Sequence, residues 1–573
     1  MRYRRLAGVA ALFSCALGSS AIAADDPPQE AEAAQSQTQT RRVEPVRGNW
    51  QGFYFGGHVG GATGTTTFYS PYGSDLFGGS ATTPAFLAGL QVGYNWLPMP
   101  QLLLGVEASG SYLTSQGQNT CMQPNTEQIG STCQAFPNAI ATFTGRVGYV
   151  TEPNGRTLIY GKAGAAWMHS QLYANPNSAG FHDFNLTAET GDSASQAVGV
   201  WGWTIGAGVE YAFAPKWSLN LGYDYMRFTG ISMQTPPTTS VSQASDVSSV
   251  AGGTATVTQD MHIARIGLNY HWGGPSKTSS ESSDAAPAGT AWVPGWETEV
   301  GLRYWYSSGN FQTTNSQSNT PNSPAGSNLS YNGMTGHSGE IFGRIDSPYN
   351  VFFKGFVGAG GITNGSMYDE DWGLGKELAG ANPIGYALTQ SNISGSLSYL
   401  TADVGYNVLR GPDHKIGLFV GYNRYQMSLN TTGLTDLVNN GGATTPTNVL
   451  GISDNSTWQS VRLGLSAQVW PWERFRVDAD LAYLPYVSLN GMDSHWLRSA
   501  YFPVNGTGNG VQGELVLSYY LTDAFSVGVG GRYWSMWTNS ATYSFGGYEY
   551  VTQSTNRYGV FLQGAYRFGT PKQ

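Results

Sequence analysis

The feature that most constrains this chain is an alternation with period two. In the stretch WSLNLGYDYMRF, Trp217, Leu219, Leu221, Tyr223 and Tyr225 share one face of an extended backbone, and Ser218, Asn220, Gly222 and Asp224 share the other. In RFRVDADLAY, Phe475, Val477, Ala479, Leu481 and Tyr483 likewise oppose Arg476, Asp478 and Asp480. A soluble sandwich also alternates, but it turns its large aromatics mainly to the core and its charges to water. What lies outside these strands therefore has to be decided by other features.

The first residues, MRYRRLAGVAALFSCALGSSAIA, join a basic start to an apolar run and the triplet Ala21, Ile22, Ala23. They read as a secretory signal over residues 1–23, cut before Ala24. Two competing readings, a twin-arginine signal at Arg4 and Arg5 and a lipoprotein site at Cys15, lack the rest of their motifs. No later stretch offers about 20 uninterrupted apolar residues, which excludes a helical span and leaves a closed barrel as the way to cross a membrane. Composition agrees: 11% of residues are charged, against roughly 25% in soluble domains. Aromatics reach 13%, glycine counts 77, and the formal charge is -9, so no basic face is supplied for nucleic acid.

Alternating segments of about ten residues closed by aromatics mark the strands of such barrels. Between about 49 and 273 there are eight, beginning near Trp50, Thr83, Leu102, Ala139, Thr157, Ala197, Trp217 and Gln259. Short connections (PMPQ, EPNGRT, APK) alternate with long ones, the pattern of periplasmic turns and extracellular loops. Residues 274–295 are rich in Ser, Ala, Pro and Gly and read as a flexible linker; 24–48 read as a disordered periplasmic lead. A second set of ten strands occupies 296–568, starting near Glu297, Ser338, Tyr349, Ile393, Lys415, Ser456, Glu473, Gly510, Ala524 and Ser554. A tail, 569–573, follows. The expected fold is all-β: two tandem, antiparallel, up-and-down transmembrane barrels, eight-stranded then ten-stranded, in a bacterial outer membrane with the long loops extracellular. An eight-stranded barrel is filled by its own side chains, so the first is a poor pore. In the exported chain Cys121 and Cys133 bracket one polar loop, where a disulfide is the default and two free thiols the alternative.

Three consecutive acids interrupt this charge-poor pattern in GSMYDEDW, Gly365 to Trp372, just past the third strand of the second set. GMDSHW, Gly491 to Trp496, lies just past the seventh. In an extended segment residues two apart share a side, which pairs Asp369 with Asp371 and Asp493 with His495. Hydrolysis of a peptide by water needs a base and an anion to orient it, and an imidazole titrates in the useful range. His495 is thus the candidate base, Asp493 its partner, and Asp369 with Asp371 the groups that position water opposite. Solvated loop acids and a calcium site drawn from Asp369, Glu370 and Asp371 are the competing readings.

The first barrel resembles small outer-membrane barrels of the outer-membrane-protein-A-like and surface-antigen type, through WQGFYFGGHVGGATG, the GYVTEPNGRTLIYGKAGAAW hairpin and ARIGLNYHW. The second resembles the omptin family, through the Asp-x-Asp of GSMYDEDW and the Asp-x-His of GMDSHW at the matching strands. The omptin resemblance implies an aspartic-type endopeptidase with Asp369, Asp371, Asp493 and His495 catalytic, no metal or other cofactor, and lipopolysaccharide as a required lipid. It also implies outer-membrane lipid, the barrel-assembly machinery and a peptide or protein substrate as partners. Gly309 and Gly491 stand where the family carries the groove-floor acids that select basic residues, so dibasic specificity does not carry over. At the lipid-binding cluster Tyr422 matches, while Arg424 and Gln426 replace an acid and an arginine. The rival expectation is a catalytically silent double-barrel surface protein. The mature chain is expected to start at Ala24, and N-terminal sequencing of heat-modifiable protein from outer membranes should find that residue.

Overall fold

The computed structural model describes residues 50–75, 78–122, 131–151, 155–176, 193–214, 216–235, 238–241, 247–272, 294–316, 325–374, 385–438, 444–543 and 550–569. The segments expected to be a signal and a lead, most of the expected linker and all but one residue of the tail lie outside them.

Among the described residues twenty-one strands follow in order. They are β1 Gly52–Tyr69, β2 Ser80–Met99, β3 Leu102–Ser115, β4 Gly117–Cys121, β5 Ser131–Val150, β6 Thr157–Pro176 and β7 Ala194–Ala214. Next come β8 Trp217–Gln234, β9 Thr238–Val241, β10 Val247–Val250, β11 Thr254–Trp272, β12 Glu297–Ser316, β13 Ala325–Asp346 and β14 Val351–Leu374. The rest are β15 Gly385–Arg410, β16 His414–Asp436, β17 Leu450–Trp472, β18 Phe475–His495, β19 Ala500–Tyr520, β20 Phe525–Tyr543 and β21 Tyr550–Gly569. Every pairing is antiparallel. The first sheet runs β3-β2-β1-β11-β8-β7-β6-β5 and closes through β3 on β5, with β4 continuing the line of β3 along β5. β9 and β10 form a separate hairpin. β12 to β21 close in chain order into a ten-stranded barrel. Eight and ten strands are thus what the alternation predicts. The long-loop ends differ, because strands begin well before the expected points: β13 starts at Ala325 rather than near Ser338, and β19 at Ala500 rather than near Gly510. Ladder hydrogen bonds continue above the apolar band, where sequence alternation fades.

The outward faces carry the apolar side chains expected toward lipid, among them Phe53, Leu90, Phe143, Trp201, Leu302, Phe353, Leu418 and Leu562, all exposed. The lumens are polar or aromatic. In the first barrel Glu107 accepts from Lys162 at 3.2 Å, Arg265 at 3.0 Å and the Tyr54 hydroxyl at 2.8 Å, and Arg146 bridges it to Glu210. Asp224 joins Lys162 and Arg265, so three cations and three acids balance one another in a filled interior. His58 and His271 point into this lumen: His58 contacts Gln91 and Ser111, and His271 meets Glu210 at 3.3 Å. Gly89 and Gly267 leave the interior room for the His58 imidazole, since a Cβ at Gly89 would lie 2.7 Å from its Nε2.

The two barrels meet along a seam. Val59, Tyr211, Leu219 and Ile266 of the first share one apolar cluster with Ile416, Leu465, Ala467, Val469, Val477 and Leu481 of the second. Each is an outward residue on its own strand, covered by the other barrel. At the periplasmic end Asp413 accepts from Arg156 and from the Tyr211 hydroxyl, both at 2.6 Å. Although burial works against it, hydrogen bonds from His414 and Tyr211 and the charges of His414 and Arg156 hold the Asp413 carboxyl well below its usual range. Near the middle, Phe86 packs on Tyr483 at 4.9 Å.

Replacing Glu107 by Ala would leave three buried cations to two acids, Asp224 and Glu210, and removing one partner of a buried ion-pair network costs about 3–5 kcal/mol in comparable sites. Glu107→Ala should lower the temperature at which the folded, fast-migrating form is lost on gels, and Glu107→Gln, which keeps an acceptor, should lower it less.

Candidate active site

The acids of GSMYDEDW lie within β14, not in a loop beyond it, because β13 pairs with that strand as far as Asp371 and β15 to its end: Asp369 stands opposite Leu329 on one side and Thr389 on the other. A bulge just below sets their facing. The register on β15 shifts between Ile362 and Ser366, and Gly365 takes φ +142 there, where a Cβ would lie 2.9 Å from the Asn332 carbonyl oxygen. Above the bulge the alternation resumes. Asp369 is 5% exposed, facing the lumen among Leu329, Tyr331 and Met367. Asp371 shares that face, while Glu370 points outward. This split weakens a calcium reading, which needs the three carboxylates to converge.

The Asp493 and His495 pair likewise ends β18 rather than following it. His495 Nε2 lies 3.1 Å from Asp493 Oδ2. The imidazole sits edge-on to Phe502 at 5.6 Å, and the chain leaves through a single 3-10 turn, Trp496–Arg498, anchored by Trp496 Nε1 donating to Ser453 Oγ at 2.9 Å. Asp493 is 3% exposed, and His495 is half-buried.

Two further groups belong to this cluster and escaped the motif reading. Asp454 of β17 stands directly opposite Asp493 in the ladder. Burial and the facing Asp493 charge push its carboxyl well above the usual range, against a weaker pull from Ser456. Tyr331 of β13 is fully buried, its phenol raised well above its normal value by burial and then by the charges of Asp454, Asp493 and Asp369. One phenol thus feels acids from β14, β17 and β18, so the two walls converge on a shared interior. Asp454 was legible only by pairing β17 with β18 in register; ISDNS carries no motif. Among the described residues, no group of three or more His, Cys, Asp or Glu side chains is placed to hold a metal ion.

Below the acids an aromatic layer, Trp305, Tyr399, Tyr425 and Trp534, with rings 5.1–5.6 Å apart, separates this upper lumen from a lower one rich in ion pairs. At Gly309, Arg557 occupies the space a side chain would need: a Cβ there would lie 2.8 Å from its Nη2. Arg557 donates to Tyr425 Oη at 2.8 Å and Ser307 Oγ at 2.9 Å. At Gly491 a Cβ would sit 3.2 Å from the Asn455 carbonyl oxygen. On the outer wall the Tyr422 hydroxyl donates to Gln459 at 2.8 Å, with Arg424 exposed beside it. Cys121 and Cys133 are joined by a disulfide.

Residues 31–248 match the family described as outer membrane protein beta-barrel domain, and residues 358–562 match the Omptin family. The first half is similar to the 31 kDa outer-membrane immunogenic proteins of Brucella melitensis and Brucella suis, each 31% identical over 237 residues, 38% of this chain and 84% of the relative. Among solved structures, the outer membrane protease OmpT of Escherichia coli covers 48% of this chain and 97% of its own, with 16% identity and a TM-score of 0.38. Ail, the attachment invasion locus protein of Yersinia pestis, covers 38% and 98%, with 13% identity and a TM-score of 0.18. These matches place the protein in the outer membrane and give its second half an omptin-type protease fold.

A carboxyl whose pKa is raised on folding adds stability fully present below its unfolded pKa and lost as pH rises through the folded value. For Asp454 the loss begins above 3.8. Wild-type protein should therefore become easier to unfold from pH 4 to pH 8, and Asp454→Asn, neutral throughout, should flatten that trend when unfolding temperatures are compared at each pH.

Proposed function

Because this chain belongs, through its first barrel, to the family of the 31 kDa outer-membrane immunogenic proteins and carries an Omptin family barrel behind it, we propose that it is an omptin-like, aspartic-type endopeptidase of the cell surface. The observation that carries the reading is the contact of His495 with Asp493 on one wall while Asp369 faces the same buried phenol from the other. In this mechanism His495 takes a proton from water, Asp493 holds the imidazole and stabilises its protonated form, and Asp369 with Asp371 orients the water toward a peptide carbonyl. The same proton then passes to the leaving amine. Water is the nucleophile, so no covalent intermediate accumulates. No metal or other cofactor takes part; lipopolysaccharide is the expected lipid partner, alongside the peptide substrate and the barrel-assembly machinery.

A second reading, a catalytically silent surface protein, is favoured by one observation: Arg557 fills the space at Gly309, where the family resemblance would place a selecting acid. On the protease reading the same feature turns substrate choice away from the dibasic sites of the family, and an assay has to use a broad peptide library.

Outer membranes carrying the protein should cleave such a library with lipopolysaccharide present. His495→Ala, Asp493→Ala and Asp369→Ala should each remove about 99% or more of kcat/KM, on the order of the 10²–10⁴-fold that acid–base groups contribute. If the four residues act as a unit, double variants should lose little more than single ones. Unchanged activity in His495→Ala would eliminate the mechanism, and no cleavage by the wild type would favour the silent reading.

A further inference from the structure

Glu370 separates the two candidate acids of β14 and is turned away from them, yet it is 0% exposed. What covers it is the first barrel. The Thr120 hydroxyl donates to Glu370 Oε2 at 2.7 Å, and Asn328 Nδ2 of the neighbouring β13 donates to the same oxygen at 3.2 Å. Asn328 also reaches Asn119 Oδ1 at 3.5 Å, and Gln118 donates to Thr552 on β21. Three consecutive residues of β4 thus touch three strands of the second barrel.

The docking segment is itself held. Thr120 precedes Cys121, whose bond to Cys133 ties the end of β4 to β5. A cross-link over a short loop removes conformations that would otherwise carry Thr120 away. The Thr120 carbonyl accepts from Gly79 N at 2.7 Å, and Gly78, at φ +84, lets that backbone close in, since a Cβ there would lie 2.2 Å from the same oxygen. Nor is the contact an isolated touch. It is the extracellular end of the seam that includes Phe86 on Tyr483 and ends at Asp413.

We infer that strand β4 of the first barrel, tied to β5 by the disulfide, is a built-in buttress for the second barrel, with Thr120 as a positioning residue that fixes Glu370 and so sets the facing of Asp369 and Asp371. The physics is direct. A buried carboxylate needs its hydrogen bonds, because losing one leaves a desolvated charge. Adjacent residues of a strand point to opposite faces, so a rotation that lets Glu370 escape to water turns both neighbours out of the lumen. The inference rests on the reading of those neighbours as catalytic, and it gives the first barrel a task in the reaction of the second.

The test uses the full-length protein in lipopolysaccharide-containing membranes. Thr120→Val should lower kcat about tenfold, as expected for loss of one hydrogen bond to a charged group, with KM little changed. Thr120→Ser should restore it, and the paired change Cys121→Ser with Cys133→Ser should lower kcat in the same direction. Heat-modifiable mobility reports whether each variant folds. A photo-cross-linking residue at Gln118 should join the first barrel to a β21 peptide containing Thr552, a readout independent of cleavage. Wild-type kcat in folded Thr120→Val, or no cross-link to the second barrel, would overturn the buttress alone. A wild-type protein that cleaves nothing would overturn the catalytic reading, and the positioning role with it.

Discussion

Everything in this molecule depends on the need to satisfy backbone hydrogen bonds where no water is present. In hydrocarbon, an unpaired N–H or C=O costs several kcal/mol, so the sheets must close, and closure forces each strand to divide its side chains between lipid and lumen. The two clusters that fill the lumens, and the apolar residues left outside, follow from that division. The lumens also take up the charges the outer wall refuses. Where an outward residue is buried, as with Leu219 and Ile416, the cause is the other barrel rather than a break in the pattern.

The same ladder that closes the second barrel builds the candidate site. Asp369 and Asp493 come from strands far apart in sequence, yet register alone brings them to bear on Tyr331, because β13 carries that phenol beside β14 and β17 faces β18. Small departures from regularity matter here. Bulges between Ile362 and Ser366 and between Leu484 and Val487 reset which residues face inward, and without them the acids above would turn to the outside.

Strand number, closure and the inward set of Arg476, Asp478 and Asp480 were legible because period two survives in sequence wherever lipid imposes it. The same holds for the pairing of Asp493 with His495, which needs only the spacing of two. Four features were hidden, each for a physical reason. The upward reach of β13 and β19 depends on ladder bonds above the membrane, where no solvent contrast marks the faces. Asp454 takes its meaning from a residue on another strand. His58 fits within the lumen because Gly89 and Gly267 leave room beside it, which composition does not reveal. The contact of Thr120 with Glu370 joins residues in different barrels, and no local pattern could announce it.

The two levels of the second lumen put charge to different uses. Below the aromatic layer, acids are matched to cations: Asp346 lies against Arg344 and Lys415, and Glu514 against Arg303 and Arg532. Such pairs hold geometry and resist change. Above it, Asp493 faces an imidazole and a second carboxyl, and the nearest influences on Asp454 are burial and another acid. Like charges brought together out of water cannot all ionise, so one of them keeps a proton. Retaining such a frustrated group costs stability that a purely structural barrel has no reason to give up. That cost is better explained by chemistry at the mouth than by folding, and it is the reason to look for function above the aromatic layer rather than in the better-ordered ion pairs beneath it.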